Sequence, residues 1–241
     1  MTDDAISPVE AAFEQARASR LPLDQRLALV AEAVREEYPD YMVAVDNFVE
    51  RLRLVGAESR GPQIGSMMPA FALPDQDGNL VTLDGLLEKG PVAIVFHRGH
   101  WCPFCRLNMA GIAELEDKVR PANIVAISAQ LQRYSKEARA MSGASFPFLT
   151  DLHAGFMMAL GIAVWIDDVL AGLIAGVGLD IPLYQGGDGW VLPIPSVFVL
   201  DKDGIVQARH VDPDFRRRMD LDELAGELEK LVSPKSINMV K

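Results

Sequence analysis

The chain has 241 residues, which is enough for one full domain with a sizeable addition. Because 49% of the residues are hydrophobic and 24% are charged, a packed core is expected and an intrinsically disordered protein is excluded. Its formal net charge of −11 disfavours nucleic acid and anionic membrane surfaces as partners. Residues 1–5 contain two aspartates and no basic segment ahead of an apolar stretch, and the apolar region 152–178 is interrupted by Asp167 and Asp168. We therefore expect a soluble, cytoplasmic protein with no secretory signal and no membrane span.

The first quarter of the chain has helical periodicity, because residues 8–56 carry two apolar stripes at helical spacing. The stripes consist of Leu23, Leu27, Val30 and Val34, and of Tyr41, Val45, Phe48 and Leu52. Residues 57–70 contain two glycines and two prolines and indicate a linker. The pattern predicts an N-terminal helical extension over residues 1–60. Such stripes are not left in water, so we expect the extension to cover the following domain or to form a homodimer interface.

The remaining part, residues 61–235, has the alternation of strands and helices that is typical of an α/β domain. Residues 71–83 predict a short hairpin. Residues 91–97 are a nearly continuous apolar run, as expected of a strand buried on both faces, and residues 123–128 form a second such run. A helical pattern over residues 106–119 lies between them. This βαβ spacing predicts a parallel pair of strands with a right-handed crossover.

The alternation continues to the end of this predicted domain. The further elements are a helix over residues 133–142, a strand over residues 146–150, a hairpin over residues 196–210 and a closing amphipathic helix over residues 221–231. Residues 153–180 are apolar and partly helical, but their pattern does not define the boundaries of the elements.

Cys102 and Cys105 are the only cysteines and lie between the first buried strand and the following helix. A structural zinc site needs four ligands and this pair supplies two, so redox chemistry is the favoured interpretation and a pair of inert buried thiols is the alternative. The start of a helix favours a thiolate, because its first N–H groups are unpaired and its dipole is positive there. Pro103 suits the first turn, where no N–H is needed. We predict a reversible disulfide, with Cys102 as the nucleophile and Cys105 as the shielded, neutral resolving thiol. The reverse assignment, with Cys105 as the attacking cysteine, is the alternative.

Four further residues stand near the cysteines or face them in the predicted fold. Arg98 would stabilise a thiolate or polarise a peroxide oxygen, and its alternative role is a solvated loop charge. His97 and His100 are interpreted as structural. Pro195 comes directly before a strand, where the lack of an N–H group is tolerated. It either begins that strand or forms a cis-proline loop that faces the cysteines.

Three segments resemble a known family. Residues 96–105, Phe-His-Arg-Gly-His-Trp-Cys-Pro-Phe-Cys, resemble the F-x-R-G-x-W-C-P-[YF]-C signature of the peroxiredoxin-like branch of the alkyl hydroperoxide reductase/thiol-specific antioxidant superfamily. Residues 65–83 resemble its first hairpin, and residues 190–201 resemble its late proline and strand. The resemblance covers residues 61–232. It implies an α/β, thioredoxin-like fold, with a central mixed sheet flanked by helices.

The same resemblance implies a function. It is that of an antioxidant thiol peroxidase, which reduces hydroperoxides through a CxxC dithiol/disulfide cycle and needs neither a cofactor nor a metal. The reductant of such an enzyme is a thioredoxin-like protein or a low-molecular-weight thiol. The resemblance assigns catalytic roles to Cys102, Cys105 and Arg98. It also implies that Pro195 is cis and packs near Cys102.

The chain departs from the family pattern at the site itself. Peroxiredoxins carry P-x-x-x-T-x-x-C, but alignment on Cys105 places Arg98 at the proline and Cys102 at the threonine, and alignment on Cys102 places Gly99 at the threonine. The peroxide-orienting arginine before the late strand is also missing, since Pro195 occupies that neighbourhood. Two alternatives therefore stay open: a thioredoxin-like protein thiol–disulfide reductase, and a non-catalytic interaction module of the same fold.

Overall fold

The computed structural model describes residues 6–232 and has a five-stranded mixed sheet at its centre, in the order β5-β4-β3-β8-β9. Its strands are β3 (Val92–Phe96), β4 (Asn123–Ser128), β5 (Phe148–Thr150), β8 (Ser196–Leu200) and β9 (Val206–Val211). Two smaller antiparallel pairs are β1 (Ala72–Pro74) with β2 (Leu80–Thr82), and β6 (Ala163–Trp165) with β7 (Val191–Pro193). Residues 1–5, on which the expectation of no secretory signal rests, lie outside the described residues. So do residues 233–235, the last three of the predicted α/β domain.

β3 is the central strand of the sheet. It pairs parallel with β4 and antiparallel with β8. The predicted βαβ unit is confirmed, because α5 (Pro103–Leu115) connects β3 to β4. Every residue of β3 is buried, with Ile94 and Phe96 in the apolar cluster on one face and Val95 in the cluster on the other. The chain leaves the carboxyl end of β3 directly into the segment that carries the cysteines.

Helices cover both faces of the sheet. They include α4 (Leu83–Leu87), α5, α6 (Gln132–Ser142), α7 (Gly155–Ala159) and α10 (Leu221–Val232). Ile112 of α5, Ala138 of α6 and Leu228 of α10 pack on the Val95 face. Leu86 of α4 and Met157 of α7 pack on the opposite face. This architecture confirms the predicted α/β class, with a central mixed sheet flanked by helices.

The N-terminal extension forms three helices that pack on the rest of the chain. They are α1 (Pro8–Ala18), α2 (Leu23–Glu37) and α3 (Pro39–Leu54). α1 and α2 contact α5, and α3 contacts α8 (Asp168–Gly176). The predicted stripes are buried through residues such as Val30 and Val45, in a cluster that also contains both cysteines. Of the two expected placements, the extension therefore has the covering one, beside the cysteines.

The region 153–180 consists of short elements whose partners are distant in the sequence. It contains α7, β6 and α8, and α9 (Ile181–Gln185) follows it. β6 pairs with β7, and Asp167 caps α8 by accepting a hydrogen bond from the N–H of Leu170. Elements of this kind depend on tertiary contacts more than on local periodicity. Within residues 6–232, none of the helices combines the length and the apolarity that crossing a membrane requires.

Candidate active site

The loop after β3 turns the chain sharply into α5. Gly99 lies in this loop with φ of +149°, and a Cβ atom there would lie 2.8 Å from Cδ1 of Trp101 and 3.2 Å from Oε1 of Gln130. Only glycine fits such a position, since both the backbone angle and the space exclude a side chain. The turn makes Cys102 the N-cap residue of α5 and places Cys105 in its first turn.

Both cysteines are free thiols, and each is 1% exposed. The Sγ atom of Cys102 accepts no hydrogen bond from the first turn of α5. The Sγ atom of Cys105 accepts hydrogen bonds from the backbone N–H of Arg98 and from the guanidinium of Arg218, both at 3.4 Å. The neighbouring Cys102 thiol also favours the ionised form of Cys105. Hydrogen-bond donors therefore converge on the second sulfur of the pair, not on the first.

The hydrogen-bond donors around Cys105 favour the ionised form of this cysteine over that of Cys102. Burial opposes a thiolate at both positions, and at Cys102 it raises the pKa well above its usual value, together with the hydrogen bond to Cys105. At Cys105 the effect of burial is outweighed by the hydrogen bond from Cys102 and by the positive charge of Arg218, which hold the pKa of Cys105 well below its usual range. The donors and cations around Cys105 therefore favour a thiolate there, whereas the sequence predicts a Cys102 thiolate beside a neutral Cys105.

Arg98 is buried beside the pair. It is 4% exposed, and its guanidinium carbon lies 3.8 Å from the ring centroid of Phe215 and 4.9 Å from that of Trp101. Within residues 6–232 no ion pair joins Arg98 to a carboxylate. The alternative of a solvated loop charge is excluded. The positive charge of Arg98 instead favours the anionic form of the cysteine pair.

Arg218 is the residue at the site that the sequence does not reveal. It lies between β9 and α10, and it donates hydrogen bonds to two backbone carbonyl groups of its own segment as well as to Cys105. Arg216 anchors this segment through ion pairs with Asp46 of α3 at 2.6 Å and with Asp214 at 2.7 Å. Three consecutive arginines in a loop have no periodicity that would point to a site. The tertiary fold alone brings the last of them to the sulfur.

The prediction of a cis bond before Pro195 is wrong, since the Ile194–Pro195 peptide is trans. The chain runs from β7 directly into β8, and the N–H of Ile194 donates to the carbonyl oxygen of Ile162 at 2.7 Å. Pro195 lines a small cavity together with Arg98 and Phe215, and neither cysteine contributes to that cavity. Pro195 thus has the simpler of its two expected roles, at the beginning of a strand.

The surroundings of His97 and His100 are consistent with the structural roles that the sequence predicts for them. The ring of His97 stands edge-on to Phe148, 5.6 Å between centroids, and complete burial lowers the pKa of His97 to about 4. His100 is half-buried, and its backbone N–H donates to Oε1 of Gln130 at 2.9 Å. Its ring stacks on Tyr134 at 4.6 Å. Both rings hold the loop in place, and His97 is neutral at pH 7.

We expect acid to destabilise the protein through His97. Histidine titrates near 6.5 in an unfolded chain, whereas His97 titrates near 4 in the fold. Between these values the unfolded chain binds more protons, so stability falls as the pH is lowered from about 6.5 to about 4, by about 3 kcal/mol in all. In urea unfolding at a series of pH values, His97→Phe should flatten this part of the stability curve. His100→Phe is the control at a half-buried ring and should flatten it less. Equal slopes in the wild type and His97→Phe would contradict the prediction.

A cavity of about 330 Å³ opens on Cys102. Its walls include Val34 and Tyr41 of the extension and Ile174 of α8, and Cys102 forms part of the wall while Cys105 does not. No group of three or more His, Cys, Asp or Glu side chains among residues 6–232 is arranged to hold a metal ion. The arrangement can therefore bring a small molecule to the sulfur of Cys102, with the thiolate of Cys105 behind it.

The sequence matches a family model and a curated protein whose name refers to thiol chemistry. The Redoxin family model matches residues 63–228. The thiol:disulfide interchange protein DsbE of Pseudomonas aeruginosa is 26% identical over 148 residues, which are 61% of this chain and 66% of that protein. The chain thus spans just under two thirds of the length of this curated relative.

Solved structures similar to this chain include peroxiredoxins. The peroxidoxin BcpB of Mycobacterium tuberculosis is 22% identical, with a TM-score of 0.55, over 71% of this chain and 99% of that one. A peroxiredoxin-like protein of Aquifex aeolicus is 14% identical, with a TM-score of 0.57, over 71% and 88%. A thiol peroxidase of Chromobacterium violaceum is 16% identical, with a TM-score of 0.52, over 70% and 88%. At these identities the likeness concerns the fold, and it confirms the predicted thioredoxin-like architecture.

Proposed function

This chain belongs to the Redoxin family, and we propose that it is a thiol-dependent oxidoreductase that reduces hydroperoxides through a dithiol/disulfide cycle of Cys102 and Cys105. The observation that carries this proposal is the burial of both sulfurs, of which Cys102 lines a cavity of about 330 Å³. A hydroperoxide fits into such a cavity. The disulfide of a folded protein does not, because thiol–disulfide exchange needs direct access of one sulfur to the other.

Two other functions are weighed against this one. The name of the Pseudomonas relative favours disulfide exchange with a protein, but a nucleophile that is 1% exposed argues against a protein substrate. A non-catalytic module would carry inert buried thiols, and such thiols have raised pKa values. The donors around Cys105 argue against that function, because they lower the pKa of a buried thiol where burial alone would raise it.

The first step of the proposed reaction oxidises Cys102. Its sulfur attacks the distal oxygen of the hydroperoxide ROOH, the O–O bond breaks and an S–OH group forms. The proton that Cys102 loses passes to the departing alkoxide, which leaves as the alcohol ROH. Arg98 lines the same cavity, and its charge offsets the negative charge that develops on the departing oxygen.

The second step closes the disulfide. The Cys105 thiolate attacks the sulfenic sulfur of Cys102, so that an S–S bond forms. Hydroxide leaves and takes up a proton from solvent to give water. In sum, one hydroperoxide and the two cysteines give one alcohol, one water and one disulfide. Two equivalents of an external thiol then restore both cysteines.

The reductant and the setting of the protein belong to the same proposal. We favour a low-molecular-weight thiol over a thioredoxin-like protein as the reductant, since the burial that argues against a protein substrate applies to the reductant as well. The cytoplasmic location and the homodimer stay predictions, which cell fractionation and analytical ultracentrifugation can check.

The test is the oxidation of the fully reduced protein by hydrogen peroxide, by cumene hydroperoxide and by a protein disulfide, followed by stopped-flow fluorescence. We expect a hydroperoxide to react faster than the protein disulfide by on the order of 100-fold or more, because it alone can reach Cys102. Mass spectrometry after alkylation should find both thiols blocked within one chain. A protein disulfide that reacts as fast as the hydroperoxides would favour the reductase, and slow reaction with all three would favour the interaction module. A product dominated by disulfide-linked dimers would contradict the internal disulfide.

A further inference from the structure

One wall of the cavity at Cys102 is built by residues outside the part of the chain that matches the Redoxin family. The match begins at residue 63, whereas Val34, Tyr38 and Tyr41 belong to the N-terminal extension. The opposite wall comes from α8 and the residue that follows it, through Ile174 and Val177. We refer to the cavity enclosed by these five residues and Cys102 as the chamber.

The extension is held against the site by specific contacts. The guanidinium carbon of Arg106 in α5 lies 4.0 Å from the ring centroid of Phe13, and its terminal nitrogen lies 3.7 Å from the carboxylate of Glu10. At the other end, Asp46 of α3 pairs with Arg216. Because these contacts tie α1 to α5, which carries Cys105, and α3 to the segment that carries Arg218, the chamber is part of the packed fold.

The chamber has a closed end and a mouth. Val34 and Ile174 are 6% and 1% exposed and form inner walls. Tyr38 and Val177 are 36% and 46% exposed and lie at the opening to solvent, together with the exposed side chains of Ser7 and Glu10. A substrate would pass this rim before it reaches the sulfur of Cys102.

The lining matches a molecule with one polar end. Arg98 and Tyr41 are polar groups that line the cavity together with Cys102. The lining also includes Ser7, Glu10 and Arg106, of which Ser7 and Glu10 are exposed and Arg106 pairs with Glu10, and the other lining residues are aliphatic or aromatic. Burial raises the pKa of Tyr41, so its hydroxyl remains a neutral hydrogen-bond donor at pH 7. The volume lies at the small end of the range for ligand sites, about 300–1,000 Å³. An apolar body of the size of cumene, with a peroxide group directed at Cys102, fits this combination, whereas a long acyl chain does not.

We propose that the N-terminal extension and α8 form a selectivity chamber, which makes compact apolar hydroperoxides the preferred substrates over hydrogen peroxide. The proposal rests on the proposed function, because it names the substrate class of the same cysteine pair. It places part of the specificity-determining surface, Val34, Tyr38 and Tyr41, in a segment that precedes the family domain, and the rest, Ile174 and Val177, within that domain.

The test narrows the mouth of the chamber. Val177→Trp adds bulk at an exposed position, where it is not expected to disturb folding, and Val169→Trp places the same change at an exposed position of α8 that does not line the chamber. In the wild type, cumene hydroperoxide should oxidise Cys102 faster than hydrogen peroxide does. In Val177→Trp, oxidation by cumene hydroperoxide should slow by on the order of tenfold, while oxidation by hydrogen peroxide should stay within about twofold. Val169→Trp should behave as the wild type.

A binding measurement separates this proposal from the proposed function. Titration calorimetry with 2-phenylpropan-2-ol, the alcohol that cumene hydroperoxide yields, should detect binding to the wild type and to Val169→Trp, and weaker binding to Val177→Trp. If neither hydroperoxide oxidises the wild type, the proposed function fails, and the calorimetry alone decides whether the chamber exists. Equal slowing with both hydroperoxides, equal effects of the two variants or no binding of the alcohol would overturn the chamber.

Discussion

Replacement of Cys102 by serine is expected to abolish the reaction with hydroperoxides, although a thiolate remains in the protein. The hydroxyl of the introduced serine can still donate a hydrogen bond to Cys105, and the Arg98 N–H and the Arg218 guanidinium are unchanged, so Cys105 should keep its lowered pKa. Cys105 does not line the chamber, however, and is 1% exposed. We expect the rate to fall by on the order of 100-fold or more, because a nucleophile that cannot reach the substrate does not react. Stopped-flow oxidation of the reduced variant measures this.

Cys105→Ser is the matched variant. It keeps Cys102 in the chamber and removes the resolving thiol, so the reaction with one equivalent of hydroperoxide should stop at the sulfenic acid and form no disulfide. A sulfenic-acid reagent such as dimedone should then label Cys102. The two variants together decide the roles. If Cys102→Ser is oxidised at the wild-type rate and carries the label on Cys105, then the ionised cysteine is also the attacking one and the proposed order of steps is incorrect.

Much of the fold can be predicted from the sequence, because its signals are local. The apolar runs 91–97 and 123–128, with a helical pattern between them, predict a parallel βαβ unit, and the structure has β3, α5 and β4 there. The predicted helix begins at residue 106, yet α5 begins at Pro103. The first turn of a helix is defined by capping and polar residues and lacks a repeat of apolar residues. The start of a helix therefore cannot be located from the spacing of apolar residues alone.

The charges of the candidate site could not be predicted in the same way. The position of Cys102 at the start of a helix correctly indicates a reactive pair, but the helix dipole is a weak effect beside hydrogen bonds to charged groups in a buried site. The hydrogen bond from a charged group comes from Arg218, which is 113 residues away from Cys105 along the chain. The trans peptide before Pro195 is a second example, since proline before a strand is compatible with either isomer. Both features depend on contacts between distant segments, which one sequence does not display.

Removal of the Arg218 charge is expected to slow disulfide closure more than the initial oxidation. Arg218 donates to the Sγ atom of Cys105, and a hydrogen bond from a charged group contributes about 1.5–3 kcal/mol. In Arg218→Met this stabilisation of the thiolate is lost, so the pKa of Cys105 should rise and less of it should be ionised at pH 7. The attack of Cys105 on the Cys102 sulfenic acid should then slow by about tenfold or more. The first step depends on Cys102, which Arg218 affects less. The sulfenic acid should therefore accumulate, and dimedone should trap more of it than in the wild type.

The pH dependence identifies the cause of this effect. If Arg218 acts through the charge of Cys105, closure in Arg218→Met should recover as the pH is raised above the new pKa of Cys105, and Arg218→Lys should restore part of the rate at neutral pH. Arg217→Met is the neighbouring control, because Arg217 is exposed and its contact is an ion pair with Asp214 at 3.9 Å. It should leave both phases of the stopped-flow trace unchanged. The opposite result would be that Arg218→Met slows the oxidation by hydroperoxide while disulfide formation keeps its rate. It would mean that the Cys105 thiolate attacks the hydroperoxide and that Arg218 activates this nucleophile.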